Sequence, residues 1–244
     1  MGLRAVQSHP IVTQIPKDTM ATPAQSLQID IVSDVVCPWC IIGYQQLEKA
    51  LAANGVQHQI HWHPFELNPA MPPEGQNLRE HVAEKYGTTV EQSNQSRIRM
   101  TEIGRELGFE FRFTADMRMH NTFHLHQLLH WADEQGRMHD LKLAFFAAHF
   151  TDQRNLSDRN VLADVAAEIG LARAEAIAVL EDQRFATLVR QAEHHWQRQG
   201  IQGVPAMIFN RRHLVTGAQG VETYARILEQ LAEMQDATAA QDNR

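Results

Sequence analysis

Leu27-Gln28-Ile29-Asp30-Ile31-Val32-Ser33-Asp34-Val35-Val36-Cys37-Pro38-Trp39-Cys40 is the stretch that decides the fold. Residues 27–36 are rich in β-branched side chains and predict a strand. Pro38 then stands where a first helical turn tolerates a residue without an N–H. From there Cys40, Tyr44, Leu47 and Leu51 recur at i, i+4, i+7 and i+11, the stripe of an amphipathic helix. Asn54-Gly55 supplies its stop. Val56, Ile60 and Trp62 alternate with Gln57, Gln59, His61 and His63 up to Pro64, which predicts a half-buried strand. Residues 27–65 therefore read β-α-β.

Towards the C-terminus, residues 66–78 carry Pro69, Pro72, Pro73 and Gly75 and read as a linker. The pattern is then helical for over a hundred residues. Asn121-Thr122 caps one helix running to Gly136. Ser157-Asp158 starts another, with Val161, Leu162, Val165, Ala166 and Ile169 on one face and Gly170 at its end. A further helix is predicted over residues 184–199. The most apolar stretch, Leu141 to Phe150, is broken by Lys142 and His149 and is too short to cross a membrane. Strand signals return at Pro205–Phe209 and His213–Thr216, joined by a turn at Asn210–Arg212 into a hairpin. A last helix places Val221, Tyr224, Leu228 and Leu231 on one face.

The order β-α-β, helical block, β-β-α predicts an α/β chain whose terminal strands share one sheet. The expected divisions are a flexible leader over 1–26, sheet-forming parts over 27–66 and 184–235, an all-helical insertion over 67–183, and a flexible tail over 236–244. The leader, with Pro10, Pro16 and Pro23, has no compact apolar core and does not read as a signal peptide. Met20 is a second candidate start, and a cytosolic location is expected.

Twenty-two Lys and Arg against 29 Asp and Glu give 22 − 29, a formal charge of −7. That balance excludes a nonspecific nucleic-acid binder, which needs a basic surface to release phosphate counterions. At 43% hydrophobic and 21% charged, the chain is an ordinary globular one.

The only two cysteines are Cys37 and Cys40. Cys37 is placed at a helix N-terminus, where unpaired N–H groups and the helix dipole favour a thiolate. Cys40, one turn deeper on the packed stripe, is expected to be buried and less acidic, yet able to close a disulfide. The asymmetry makes Cys37 the attacking thiol and Cys40 the resolving one. Half a zinc site is the alternative. No second ligand pair stands at a recognisable spacing, and His120/His124 and His126/His130 lack the glutamate of H-E-x-x-H. No metal is expected. Gly203-Val204-Pro205 precedes a strand, where an ordinary trans proline is permitted.

Ser33-Asp34-Val35-Val36-Cys37-Pro38-Trp39-Cys40-Ile41-Ile42-Gly43 resembles the active-site segment of DsbA-like thiol:disulfide oxidoreductases, specifically their FrnE-like branch. Trp62-His63-Pro64-Phe65-Glu66-Leu67-Asn68-Pro69 resembles that branch's second strand and exit, and Asn121 to Leu128 a helix of its inserted domain. Gly200 to Pro205 resembles its cis-proline loop, and Val215 to Gln219 its last strand and turn. The likeness covers residues 27–235. It implies a thioredoxin fold interrupted by a helical domain and a C-x-x-C redox centre. It also implies a cis Val204–Pro205 bond opposite Cys37, with Val204 offering its backbone to substrate and Pro38 and Trp39 as further substrate contacts. The implied partners are protein or small-molecule thiols and disulfides, with glutathione or a reductase as recycling partner and no bound cofactor. Neither membrane nor nucleic acid is expected as a partner, and a homodimer is left open.

The same superfamily contains 2-hydroxychromene-2-carboxylate isomerases and kappa-class glutathione transferases, which typically carry Ser where Cys37 stands. A glutathione-dependent isomerase or transferase is therefore one rival, and a non-catalytic thioredoxin-fold chaperone or binding protein another. Among weaker signals, Asp30 and Asp34 read first as strand-end carboxylates and second as proton shuttles. His63 and His126 read first as structural and second as cleft-lining. Asn121 reads as a cap, and Arg97, Arg99 and Arg105 as a solvated helix face.

Overall fold

The computed structural model describes residues 26–242 together with the two-residue strand Thr13–Gln14. The rest of the expected leader lies outside the described residues. A strand β2 (Leu27–Ser33), helix α1 (Pro38–Ala53) and strand β3 (His58–Pro64) open the fold. The hairpin β6 (Ala206–Phe209) and β7 (His213–Thr216) and helix α9 (Val221–Asp242) close it. β2 is central, parallel to β3 on one side and antiparallel to β6 on the other, and β7 pairs antiparallel with β6. Thr13–Gln14, β1, adds an antiparallel edge strand to β7, so part of the stretch expected to be flexible leader is paired in the sheet. This is the thioredoxin arrangement that the resemblance implied.

The period-2 pattern of the strands decides what each face of the sheet covers. Ile29, Ile31, Met207 and Phe209 point into one core with Leu47 and Leu51 of α1 and Tyr224 and Leu228 of α9. Val32, Ala206 and Ile208 point to the other face, against Trp196 of α8 (Ala186–Arg198). Strand β2 ends at Ser33, three residues short of the expected end. A turn at 35–36 then leads into the helix.

Between the two sheet-forming parts lie α2 (Leu78–Tyr86), α3 (Val90–Leu107), α4 (Phe123–Asp133), α5 (Met138–Phe150), α6 (Arg159–Glu168) and α7 (Arg173–Asp182). The insertion is not all-helical as expected. Two short strands, β4 (Gln76–Asn77) and β5 (Arg118–Met119), pair antiparallel. Gly75 permits the pairing: its φ is +70°, and a Cβ there would collide with the Met119 carbonyl. Arg97 corrects the expected solvated face of α3. It shares a buried stripe with Met100, Gly104 and Leu107, and its guanidinium stacks over Phe113 at 5.8 Å, whereas Arg99 and Arg105 are exposed. Helix α9 continues to Asp242, beyond residue 235 where a flexible tail was expected. Its last turns carry Ala237, Ala239 and Ala240, residues with the best helix propensity.

Helix α5 packs against β3 and α1 as well as against its own domain. Phe145 joins the insertion's core, and Phe146 faces Trp62 and Phe150. His149, buried on the same helix, is pulled down by burial to about 3, and nearby His120 to about 4. Their folded values lie below the unfolded ~6.5. The stability each contributes is therefore present above about pH 6.5 and is lost as pH falls towards the folded value. The expected result is that acidification from pH 7 to 5 lowers the urea midpoint, and that His149→Gln flattens the slope. A single histidine contributes about 1.4 kcal/mol per pH unit within that window. Equal slopes in both proteins would count against buried neutral His149 as a source of the acid sensitivity.

Candidate active site

Cys37 is the N-cap residue of α1, with extended backbone angles, and Pro38 takes the first helical position. The turn that carries it is gripped from two sides. Val35 is inserted into the core of the helical domain, and Val36 packs on Met71 and Met119. The insertion therefore helps to fix where Cys37 sits. Cys40 lies one turn on and is fully buried, while Cys37 retains 4% exposure and Trp39 between them 38%.

The Val204–Pro205 peptide is cis, and the Cys37 thiol donates to the Val204 carbonyl at 3.8 Å. The Pro205 carbonyl accepts instead from the Gly217 N–H at 2.8 Å, which ties the loop to the end of β7. Gly43 of α1 allows the close approach. A Cβ there would lie 3.3 Å from the Pro205 ring and 3.2 Å from Met207. Beside Val204 a cleft of about 350 Å³ runs from Gly200 to Pro205, with Thr216 and Gly217 on its other side. Cys37, Pro38, Trp39, Cys40, Val204 and Pro205 thus form one cluster of cysteines, apolar groups and backbone acceptors.

The two buried thiols titrate as a coupled pair. The neighbouring Cys40 thiol, and then burial, hold Cys37 well above the ordinary thiol range. Burial also pushes Cys40 up, but the neighbouring Cys37 thiol and the Lys142 ammonium outweigh it and bring Cys40 below that range. The helix-end argument omitted the partner thiol and a lysine one hundred residues away.

A buried polar layer lies beneath the dithiol. Asp34 accepts from the Leu67 N–H at 2.7 Å and faces His126 at 3.5 Å. Burial would raise its carboxyl, but His126 and the Leu67 N–H outweigh burial and hold it below the usual carboxylate range. Lys142 of α5, 1% exposed, donates to the Ser33 carbonyl at 3.3 Å and is drawn down by burial to about 8. Beside this layer Glu66 and Glu193 share Arg190. Burial and the Glu193 charge raise Glu66 to about 7.

Asp30 pairs with His63 at 2.8 Å, and His63 and His126 line a separate cavity of about 410 Å³ that does not include Cys37. Neither histidine lines the cleft beside Val204. Thr122 takes the N-cap position of α4, and Asn121 just before it accepts from the Phe123 N–H at 3.0 Å and donates to the Met71 carbonyl. Among the described residues, no three His, Cys, Asp or Glu side chains converge on a metal-sized site. Sequence reasoning assigned no role to Lys142 or Glu66. The signal for Lys142 was available, a lone cation inside the most apolar run of the chain.

A strand-to-helix cysteine pair facing a proline loop, on a sheet interrupted by helices, is the arrangement of a thioredoxin-fold protein by class. The model of the DSBA-like thioredoxin domain family matches residues 28–229, and the chain belongs to that family. A probable DsbA oxidoreductase from Streptomyces coelicolor is 34% identical, with 84% of this chain and 89% of that one covered at a TM-score of 0.79. The Bacillus subtilis protein YwbO is 26% identical over 216 residues, 83% of this chain and 96% of its own. The Pseudomonas aeruginosa cytosolic disulfide reductase DsbM, solved with glutathione, shares the fold at 18% identity and a TM-score of 0.58. That match covers 84% of this chain and 99% of DsbM. Family membership gives a general thiol–disulfide redox role. Among the described residues, no helix is long and apolar enough to cross a membrane.

Proposed function

We propose that this chain is a FrnE-like thiol:disulfide oxidoreductase or isomerase in which Cys37 attacks and Cys40 resolves. One observation carries the reading: the more accessible Cys37 thiol lies against the Val204 carbonyl of the proline loop, with the fully buried Cys40 one turn behind it. The Cys37 thiol gives up its proton to solvent. The Cys37 thiolate attacks one sulfur of a substrate disulfide, and the other sulfur leaves as a thiolate that takes up a proton. Cys40 then loses its proton and attacks the Cys37 sulfur, expelling the second substrate thiolate, which is protonated in turn. The substrate disulfide has become two thiols and the dithiol has become a disulfide. Two glutathione molecules, oxidised together to their disulfide, restore the dithiol.

Val204 offers its backbone to an extended substrate as an added strand would, and Pro38 and exposed Trp39 supply apolar contact. Glutathione as recycling partner is supported by the DsbM likeness, because that reductase was solved with it. A cytosolic location suits reduction or isomerisation at the cytosolic glutathione poise. No resident metal or cofactor takes part, and a reductase or a second copy of the chain are further candidate partners.

The test is turnover of a peptide disulfide with reduced glutathione. Wild type is expected to turn over and Cys37→Ser to lose the activity. Glutathione-dependent conversion of small electrophiles that survives Cys37→Ser would favour an isomerase or transferase. Client protection from aggregation with both cysteines replaced, and no turnover in wild type, would favour a chaperone.

A further inference from the structure

We infer that the open edge of β3 is a second binding site, which takes an extended, acidic stretch of polypeptide as an added strand. The inference goes beyond the dithiol reading and does not depend on it.

The ladder shows which groups the edge offers. Strand β3 ends the sheet on the side away from β1, parallel to β2 with Leu27 opposite His58 and Ser33 opposite Pro64. The Leu27 N–H donates to the Gln57 carbonyl at 2.7 Å. In a parallel ladder that phase turns the backbone groups of Gln59, His61 and His63 towards β2. On the other side of β2 the Asn210 N–H donates to the Gln28 carbonyl at 2.8 Å, so even residues of β2 serve β6 and odd ones serve β3. The N–H and C=O groups of Ile60 and Trp62 therefore point away from the sheet. Among the described residues, no other backbone group takes them up. Natural edges are commonly guarded by lysine or proline, and β3 carries neither before Pro64, whose missing N–H ends the open run.

Space lies along that edge. The cavity of about 410 Å³ is bordered by consecutive residues from Ile60 to Pro64, whose side chains alternate between the two faces of the sheet. A cavity lined from both faces of one strand wraps its edge. Leu129 of α4, Met138 of α5 and Val189 of α8 line it as well. Ile60 to Pro64 spans roughly 13 Å at ~3.3 Å per residue, the reach of about four or five extended residues.

Charge selects the kind of segment. Lys142 donates to the Ser33 carbonyl at 3.3 Å, so its ammonium stands at the Pro64 end. That is its one hydrogen bond among the described residues, and an ammonium carries further donors. Arg211 follows Asn210, which is bonded to Gln28, so it stands at the opposite end. Asp30, between them, is already bonded to His63 at 2.8 Å and to Gln28 at 3.1 Å. Asp133 is the remaining carboxylate of the lining. Two cations against one free carboxylate, with His61 and His130 alongside, favour an acidic segment over a basic one.

The probe is a cysteine-free pentapeptide of alternating valine and glutamate, blocked at both ends and titrated calorimetrically into the full chain. Saturable binding is expected, weakened by added salt and at least about tenfold weaker when lysine replaces glutamate. Ile60→Pro removes an outward donor and leaves the β2 ladder its own donors, so it is expected to abolish binding, whereas Ile60→Val retains it. Arg211→Asn, suited to the φ of +55° at that position, is expected to weaken binding about tenfold. Should Ile60→Pro fail to fold, amide hydrogen exchange in the wild type decides. The peptide is expected to slow exchange at Ile60 and Trp62 at least about tenfold and to leave His61 and His63, already paired to β2, unchanged. No saturable binding, binding without protection of the Ile60 and Trp62 amides, or equal affinity for the lysine peptide would overturn the inference. So would a dimer of the protein that Ile60→Pro breaks, since the edge would then belong to a second copy of the chain.

Discussion

Cys40→Ala protein is expected to accumulate in cells as mixed disulfides with its substrates, and Cys37→Ala protein is not. Cys37 reaches an incoming disulfide because it stands at the helix end against the Val204 carbonyl with residual exposure. With Cys40 gone, attack still forms the mixed disulfide, but the thiol that would expel the substrate is missing. An oriented neighbouring thiol acts at an effective concentration far above that of any free thiol, on the order of 10⁵ M or more in well-aligned cases. External glutathione therefore releases the adduct slowly. With Cys37 gone, the remaining thiol is fully buried, so its lowered pKa does not give it access. A nonreducing gel of acid-quenched lysate separates the two variants. Equal adduct levels in both, or none in either, would contradict the assignment of roles.

Phe146→Ala is expected to lose about 3–5 kcal/mol of stability, the usual cost of truncating a fully buried aromatic. The ring is 0% exposed and lies where α5 meets the sheet, 6.3 Å from Trp62 and 6.5 Å from Phe150. It also forms one of the two aromatic faces under the Lys142 ammonium. A loss of that size is a large fraction of the roughly 5–15 kcal/mol that holds a typical domain together. Urea unfolding with an unchanged m-value checks it. A change below about 1 kcal/mol would mean that the helical insertion is not anchored to the sheet through this ring.

Much of the fold was legible in the sequence because its signals are local. The Cys40, Tyr44, Leu47, Leu51 stripe marked α1, the Pro205 to Thr216 run marked the hairpin, and Asp158 capped α6 by accepting from the Asn160 N–H. The cysteine pair was equally plain, since adjacency in sequence is adjacency on one helical turn. What escaped was set by contacts between distant segments. Arg97 looked solvated because its stripe partners, Met100, Gly104 and Leu107, are spread over three turns of a largely polar helix. The strands β4 and β5 are two residues each and exist only because residues 76–77 and 118–119 meet. The burial of Lys142 was missed because it comes from the insertion, and no local pattern reports which core a buried lysine enters.

The most direct measurement is the redox equilibrium of the Cys37–Cys40 pair in glutathione buffers of graded composition, followed by mass spectrometry after acid quenching. The expected result is a single transition between the dithiol and an intramolecular disulfide, two protons lighter, with glutathione mixed disulfide at Cys37 only as a minor species. A pair that never equilibrates, or that stops at stable glutathione adducts without closing the Cys37–Cys40 bond, would contradict a dithiol oxidoreductase.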